Sequence, residues 1–227
     1  MSQLSIISLG GSLINPGQID VKFLKDFRQL IISQTKKGHR FILITGGGKL
    51  CRDFQDSLGK ITNPTTTDLD WIGISSTWLH ADLIRLVFGK LSHNTIIKDP
   101  THKVQFKEKI LIAGGWMPGR STDDVAVRLA KAYGAQTIIN LSNINYVYNK
   151  DPRKFKDAKR IEAINWADFR KIVGNKWVPG KNLPFDPTAA KSAQNLKVKV
   201  IIANGKNLKN LQNILENKKF QGTIIKD

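Results

Sequence analysis

The chain has one cysteine, three glutamates, four histidines and no apolar run long enough to cross a membrane. A lone Cys51 excludes an intrachain disulfide and a zinc site built from cysteines. The absence of about eighteen consecutive apolar residues excludes a transmembrane helix. Met1 to Leu9 carries no basic residue before its short, alternating apolar stretch, so no secretory signal is expected and a cytoplasmic address fits. His39, His80, His93 and His102 show no ligand-like spacing, and no metal site is expected from them. Negative charge is also scarce: 18 acidic residues face 36 basic ones, a formal charge of +18. The lysines are scattered from Lys22 to Lys226 without a basic block or tail. That scatter favours solvent-facing decoration over a nucleic-acid groove, although a basic field would still gather anionic metabolites.

What is present fits one α/β domain. The 227 residues are 41% hydrophobic, enough for a single sizeable core. Strand-like runs are expected at Leu4–Leu9, Phe41–Ile44, Asn94–Ile97, Ile110–Ala113, Gln136–Leu141, Val198–Ala203 and Gly222–Ile225. Helical spacing marks Asp20–Lys37, a stretch after Lys49, Asp70–Phe88, Thr122–Tyr133, Pro187–Leu196 and Asn207–Leu215. The alternation argues for βαβ units and a mostly parallel sheet covered on both faces. Ser121 to Asp124 and Thr67 to Asp70 each read as a capping box, and Asp186-Pro187 as an N-cap followed by proline. Residues 173–184, rich in Gly, Pro, Asn and Lys, read as an ordered loop.

Three glycine-rich turns directly follow apolar runs: Gly10-Gly11-Ser12, Gly46-Gly47-Gly48-Lys49 and Gly114-Gly115-Trp116. Glycine allows close backbone approach to phosphate, and a following helix offers unpaired N–H groups and a positive dipole end. Three such turns in one small domain point to a site for several phosphates, as a kinase requires. Two common designs are absent. A P-loop would need Ser or Thr after Gly48-Lys49, where Leu50 stands, and a G-x-G-x-x-G fingerprint from Gly46 would end on Cys51.

Those turns, together with Asp70-Trp71-Ile72-Gly73-Ile74, Pro118 to Asp123, Asn143 to Tyr148 with Asp151-Pro152, Phe185 to Ala190 and Gly222-Thr223, resemble the amino acid kinase family, and within it the archaeal-type uridylate kinases. The resemblance implies a three-layer α/β/α sandwich with a mainly parallel central sheet, usually assembled into hexamers. It implies transfer of a phosphoryl group from ATP to UMP with Mg²⁺ carried mainly by the nucleotide phosphates. By motif, Ser8, Gly10, Gly11, Ser12, Gly48, Arg52, Ser142, Asn143, Tyr148 and Asp151 would bind ATP. Gly47, Asp70 and the run Trp116, Met117, Pro118, Gly119, Arg120, Ser121, Thr122 would bind UMP. Gly11, Ser12, Arg52 and Asp123 would serve the transfer itself, with Asp186 in support. Monophosphate features would fall mostly in residues 1–135 and ATP features mostly in 136–227 of a single domain.

Two positions depart from the pattern. Most members carry a lysine where this chain has Ser8, leaving Arg52, Lys49 and Lys150 as candidate cations. The usual Asp-Gly of the nucleotide loop is Asn145-Tyr146, which removes easy access to positive φ. Structural alternatives stand beside the functional ones: Asp70 as a helix cap, Asp186 as an N-cap, Trp71, Trp78, Trp166 and Trp177 as core or subunit contacts. Another small-phosphate kinase of the same fold, acting for example on isopentenyl phosphate, is the nearest alternative. A non-catalytic nucleotide sensor or nucleic-acid binder is the other.

Overall fold

A computed structural model describes residues 4–174 and 183–227. Trp177 and most of the expected loop at 173–184 lie outside them. The chain alternates β1 (Leu4–Leu9), α1 (Gly11–Ile14), α2 (Val21–Lys36), β2 (Arg40–Thr45), α3 (Gly48–Ile61), α4 (Thr66–Phe88), β3 (Ile110–Ala113), α5 (Thr122–Tyr133) and β4 (Thr137–Ser142). A hairpin of β5 (Val147–Tyr148) and β6 (Arg160–Ile161) follows, then β7 (Ala163–Ile164), α6 (Trp166–Val173), α7 (Pro187–Asn195), β8 (Lys199–Asn204), α8 (Leu208–Leu215) and β9 (Thr223–Ile225).

Among the described residues, seven strands form one sheet in the order β3-β2-β1-β4-β8-β9-β7. Every pairing is parallel except β8 with β9. Side chains alternate across the pleat, so each buried strand feeds both faces. Ile6, Ile42 and Ile44 pack with Val125 and Leu129 of α5, Trp166 and Phe169 of α6, and Ala189 and Ala193 of α7. Ile7, Phe41 and Leu43 pack on the other side with Phe27 and Ile31 of α2, Ala81 and Ile84 of α4, and Leu211 and Ile214 of α8. The three-layer sandwich follows from that alternation. Among the described residues no helix is long and apolar enough to cross a membrane.

The sequence reading needs several corrections. Asn94–Ile97 is not a strand: this segment meets β3 through isolated bridges at Ser92–Ile110 and Ile97–Ala113, with a polar bend between. The first glycine turn leads straight into α1, whereas seven residues lie between Gly114 and α5. Helix α4 starts earlier than expected, because Thr65 and Asp68 form the reciprocal capping box. Its sequence offers two overlapping Thr-x-x-Asp boxes, and the fold uses the upstream one, which frees Asp70 from any capping duty. Helix α6 was missed, although Asn165 caps it and Trp166, Phe169 and Val173 form its buried face. Ser121 and Asp186 do cap α5 and α7 as expected, accepting from Asp124 and Ala189.

Candidate active site

The chain runs outward from β1 through β2 to β3, then returns to place β4 on the other side of β1. That reversal makes the carboxyl ends of β1 and β4 the switch point of the sheet, the place where open α/β sheets bind ligands. Gly10 sits there and donates its N–H to Leu141 of β4 at 3.1 Å.

The first two glycine corners are in backbone contact. A Cβ on Gly11 would overlap the nitrogen of Gly48 and lie 2.6 Å from the carbonyl carbon and oxygen of Gly46. Gly48 has φ +62, and a Cβ there would overlap the Gly11 carbonyl oxygen. Only glycine fits both sides of this contact. No hydrogen bond within the described residues engages the N–H groups of Gly11, Ser12, Gly47 or Gly48. Helix starts leave such donors unpaired and attract anions.

Helix α4 fixes the second and third corners. Thr77 Oγ1 accepts from Gly115 N at 2.6 Å, and Trp78 Nε1 donates to Gly115 O at 2.8 Å. His80 Nδ1 lies 2.8 Å from Gly46 O. Asp70 Oδ2 accepts from Gly119 N at 2.8 Å and so holds the Met117–Arg120 turn, which Arg120 N closes on Met117 O. Sequence reasoning missed Thr77 and His80 and read Trp78 as a packing residue. Their partners are backbone atoms some 34 to 38 positions away. Trp71 is substantially exposed rather than core, whereas Trp166 is fully buried. Trp116 rests on the α5 side of the core with the Arg128 guanidinium 4.6 Å from its ring centroid.

An acidic pair lies where the starts of α5 and α7 meet. Asp123 Oδ2 accepts from Asp186 N at 3.0 Å, and Asn140 Nδ2 approaches Oδ1 at 3.4 Å. Asp123 keeps a little solvent contact, but protein surrounds its carboxyl; that burial pushes its pKa up to about 7, against the pull of the Asp186 N–H. Burial also raises Asp186, offset by N–H groups of Ala189 and Thr188 and by the Ser121 side chain. Ser8 is buried in β1, directly paired with Asn140 of β4.

The cations are unequally placed. Lys49 is paired with Asp53, and Lys150 with Asp157 at 2.6 Å. Arg52, in the second turn of α3, is exposed and has no ion-pair partner among the described residues. Ser142 ends β4 beside Gly10, and its Oγ accepts from Ile144 N at 3.3 Å. Asn143 is exposed beside it, while Tyr148 lies in the β5–β6 hairpin. Asp151 lies just beyond β5, held below its ordinary pKa by the Arg153 side chain at 3.0 Å. Neither Tyr148 nor Asp151 is hydrogen-bonded to a glycine corner. The nucleotide loop needs no positive φ at Asn145 or Tyr146. It is anchored by Asn204 donating to Asn145 and by Val147 N donating to Thr223 Oγ1.

Glycine corners paired at the switch point of a doubly covered, mostly parallel sheet place the chain among the α/β proteins of open-sheet design. The chain belongs to the amino acid kinase family, whose model matches residues 3–204. It is 34% identical to a uridylate kinase of Thermoplasma volcanium over all of this chain and 99% of that protein. A uridylate kinase of Sulfolobus acidocaldarius is 33% identical over 87% of this chain and 88% of its own length. The crystal structure of the uridylate kinase from Archaeoglobus fulgidus superposes with a TM-score of 0.81 at 26% identity, covering 97% of this chain and 99% of that one. The UMP kinase of Bacillus anthracis, 19% identical, shares the fold with a TM-score of 0.78 over 99% of this chain and 96% of that one.

Proposed function

We propose that this protein is a UMP kinase, moving the γ-phosphoryl group of ATP to UMP to give UDP and ADP in cytoplasmic pyrimidine nucleotide synthesis. The observation that carries the reading is the contact between two glycine corners with four unpaired N–H groups at the switch point. Full-length similarity to uridylate kinases supports the choice of acceptor.

Phosphoryl transfer asks the protein for position and charge neutralisation rather than covalent chemistry. UMP and ATP must place their phosphates in line. An oxygen of the UMP phosphate, already anionic, attacks the γ-phosphorus as the bond to the ADP oxygen breaks, so no general base is needed. Holding two reactants this way is worth about 7–11 kcal/mol of barrier. Gly10, Gly11, Ser12 and Gly48 line the transferred phosphate, and Arg52 clamps it with a forked guanidinium. Gly47, Asp70 and the Trp116–Thr122 turn hold UMP. Ser8, Ser142, Asn143, Tyr148 and Asp151 serve ATP, with Asp151 sharing its carboxylate with Arg153. Asp123 orients the donors around the reacting groups, and Asp186 supports it through its own N–H.

Mg²⁺, held mainly through the nucleotide phosphates, would supply charge neutralisation when bound with ATP.

An ADP-release assay with UMP, CMP and isopentenyl phosphate tests the reading. Turnover with UMP well above the others is expected. Preference for isopentenyl phosphate would reassign the acceptor, and salt-sensitive RNA binding without ADP release would indicate a regulator instead. Arg52→Ala should lower kcat about 100-fold through loss of a transition-state donor while leaving the melting temperature within a degree or two. Unchanged turnover would remove Arg52 from the site. Asp70→Asn keeps an acceptor for Gly119 N–H but loses the charge-assisted bond to ribose. It should weaken UMP binding by about 1.5–3 kcal/mol in calorimetry. A fall in thermal stability with unchanged affinity would make Asp70 a turn holder alone.

A homo-oligomer, with a hexamer as the expected size, is part of the proposal. Phe54 and Ile61 on α3 and Trp71, Leu79 and Leu86 on α4 are exposed. Light scattering after gel filtration measures the size directly.

A further inference from the structure

We infer that His80 is a positioning residue for phosphate, acting through the Gly46–Gly47 peptide. The inference rests on the glycine corners being the phosphate site, as proposed above. His80 lies on α4 at 1% exposure, with Nδ1 2.8 Å from the Gly46 carbonyl oxygen. A carbonyl only accepts, so Nδ1 carries the proton. Nε2 is buried without a partner. Burial holds the imidazole below its ordinary pKa, which keeps the ring neutral in the Nδ1–H form at neutral pH.

The consequence runs through one planar peptide. No peptide bond in the described residues is cis. In a trans peptide C=O and N–H point in opposite directions. With the Gly46 carbonyl drawn toward α4, the N–H of Gly47 is turned away from that helix, and no acceptor among the described residues satisfies it. Glycine at positions 46 and 47 leaves this peptide free to rotate without side-chain hindrance. His80 therefore sets which way a phosphate-facing N–H points, from a position remote from the ligand. Gly46 also packs on Gly11, a Cβ on Gly46 lying 2.6 Å from the Gly11 nitrogen. A turned peptide would thus disturb both corners.

The test compares His80→Asn, whose Nδ2 falls near the imidazole Nδ1, with His80→Leu, which fills the space without a donor. Expected for His80→Leu is a loss of about 10- to 100-fold in kcat/KM for the phosphate acceptor, the scale of a small misplacement at a reacting centre. His80→Asn should recover to within a few-fold of the unmodified protein. Equal kinetics for the two variants would overturn the inference, as would normal kinetics for a His80→Leu protein that has lost only thermal stability. Should His80→Leu fail to fold, His80→Gln, whose amide sits one bond too far along, takes its place. Nitrogen NMR of the imidazole supplies an arm independent of turnover. The neutral Nδ1–H tautomer is expected at neutral pH, and the Nε2–H tautomer would sink the assignment. An unmodified protein that releases no ADP with any acceptor would instead defeat the proposed function, leaving the NMR result to decide the hydrogen bond.

Discussion

Gly11→Ala is expected to abolish measurable UMP phosphorylation and to destabilise the protein. A methyl group there would overlap the nitrogen of Gly48 and press on the Gly46 peptide at 2.6 Å. Both obstacles are backbone, so the corners must separate. Overpacking of this kind costs about 1–3 kcal/mol, and a contact with rigid backbone belongs at the upper end. Displacing phosphate-facing N–H groups by about 1 Å costs about 100-fold in rate in addition. Gly59→Ala is the control. It lies inside α3, and a Cβ there meets nothing within 4 Å. It should raise stability by about 0.4–1 kcal/mol and leave turnover unchanged. Denaturant melts and the ADP-release assay on both variants decide the matter. An active, normally stable Gly11→Ala protein would show that the corners do not need their close approach.

Asp123→Asn should behave in the opposite way, with activity lost and stability gained at alkaline pH. Burial pushes the Asp123 carboxyl up to about 7, above its unfolded value of about 4. The folded state therefore binds more protons between those values, and stability falls as pH rises through the window. The deficit is complete above pH 7, with a ceiling of about 4 kcal/mol from three pKa units. Asparagine still accepts the Asp186 N–H and removes the buried charge. Its melting temperature should exceed that of the unmodified protein at pH 8 and match it near pH 4. Turnover should drop by about 100-fold, because a neutral amide cannot organise cations around the transferring phosphate. An equal offset at both pH values would show that Asp123 is not the group titrating in this range. Retained turnover would deny it an organising role.

These two residues also show how far the sequence could be read. Gly11 was visible because a double glycine after an apolar strand has few purposes. Asp123 was visible in a helix start, but its buried setting was not, since that depends on Asp186 arriving from 63 positions away. The capping box read at Thr67 to Asp70 is not formed. Residues 65–70 contain two capping boxes of equal quality, and local chemistry cannot choose between them. The fold chooses Thr65 and gives Asp70 the Gly119 turn. Helix α6 could have been found from Asn165-x-x-Asp168 and its apolar spacing. The two-residue strands β5, β6 and β7 carry no comparable signal, because pairing with distant partners makes them strands.

The order of apolar runs, the turns between them and most helix starts were set by neighbouring residues, and periodicity and capping act over only a few positions. The sequence alone therefore settled the layered architecture and the glycine-rich turns. Tertiary structure decided which turns touch, which α4 side chains grip them, and which cation is left without a partner. Those outcomes depend on groups that meet only when strands β1 to β4 are laid side by side, and no local pattern encodes the meeting.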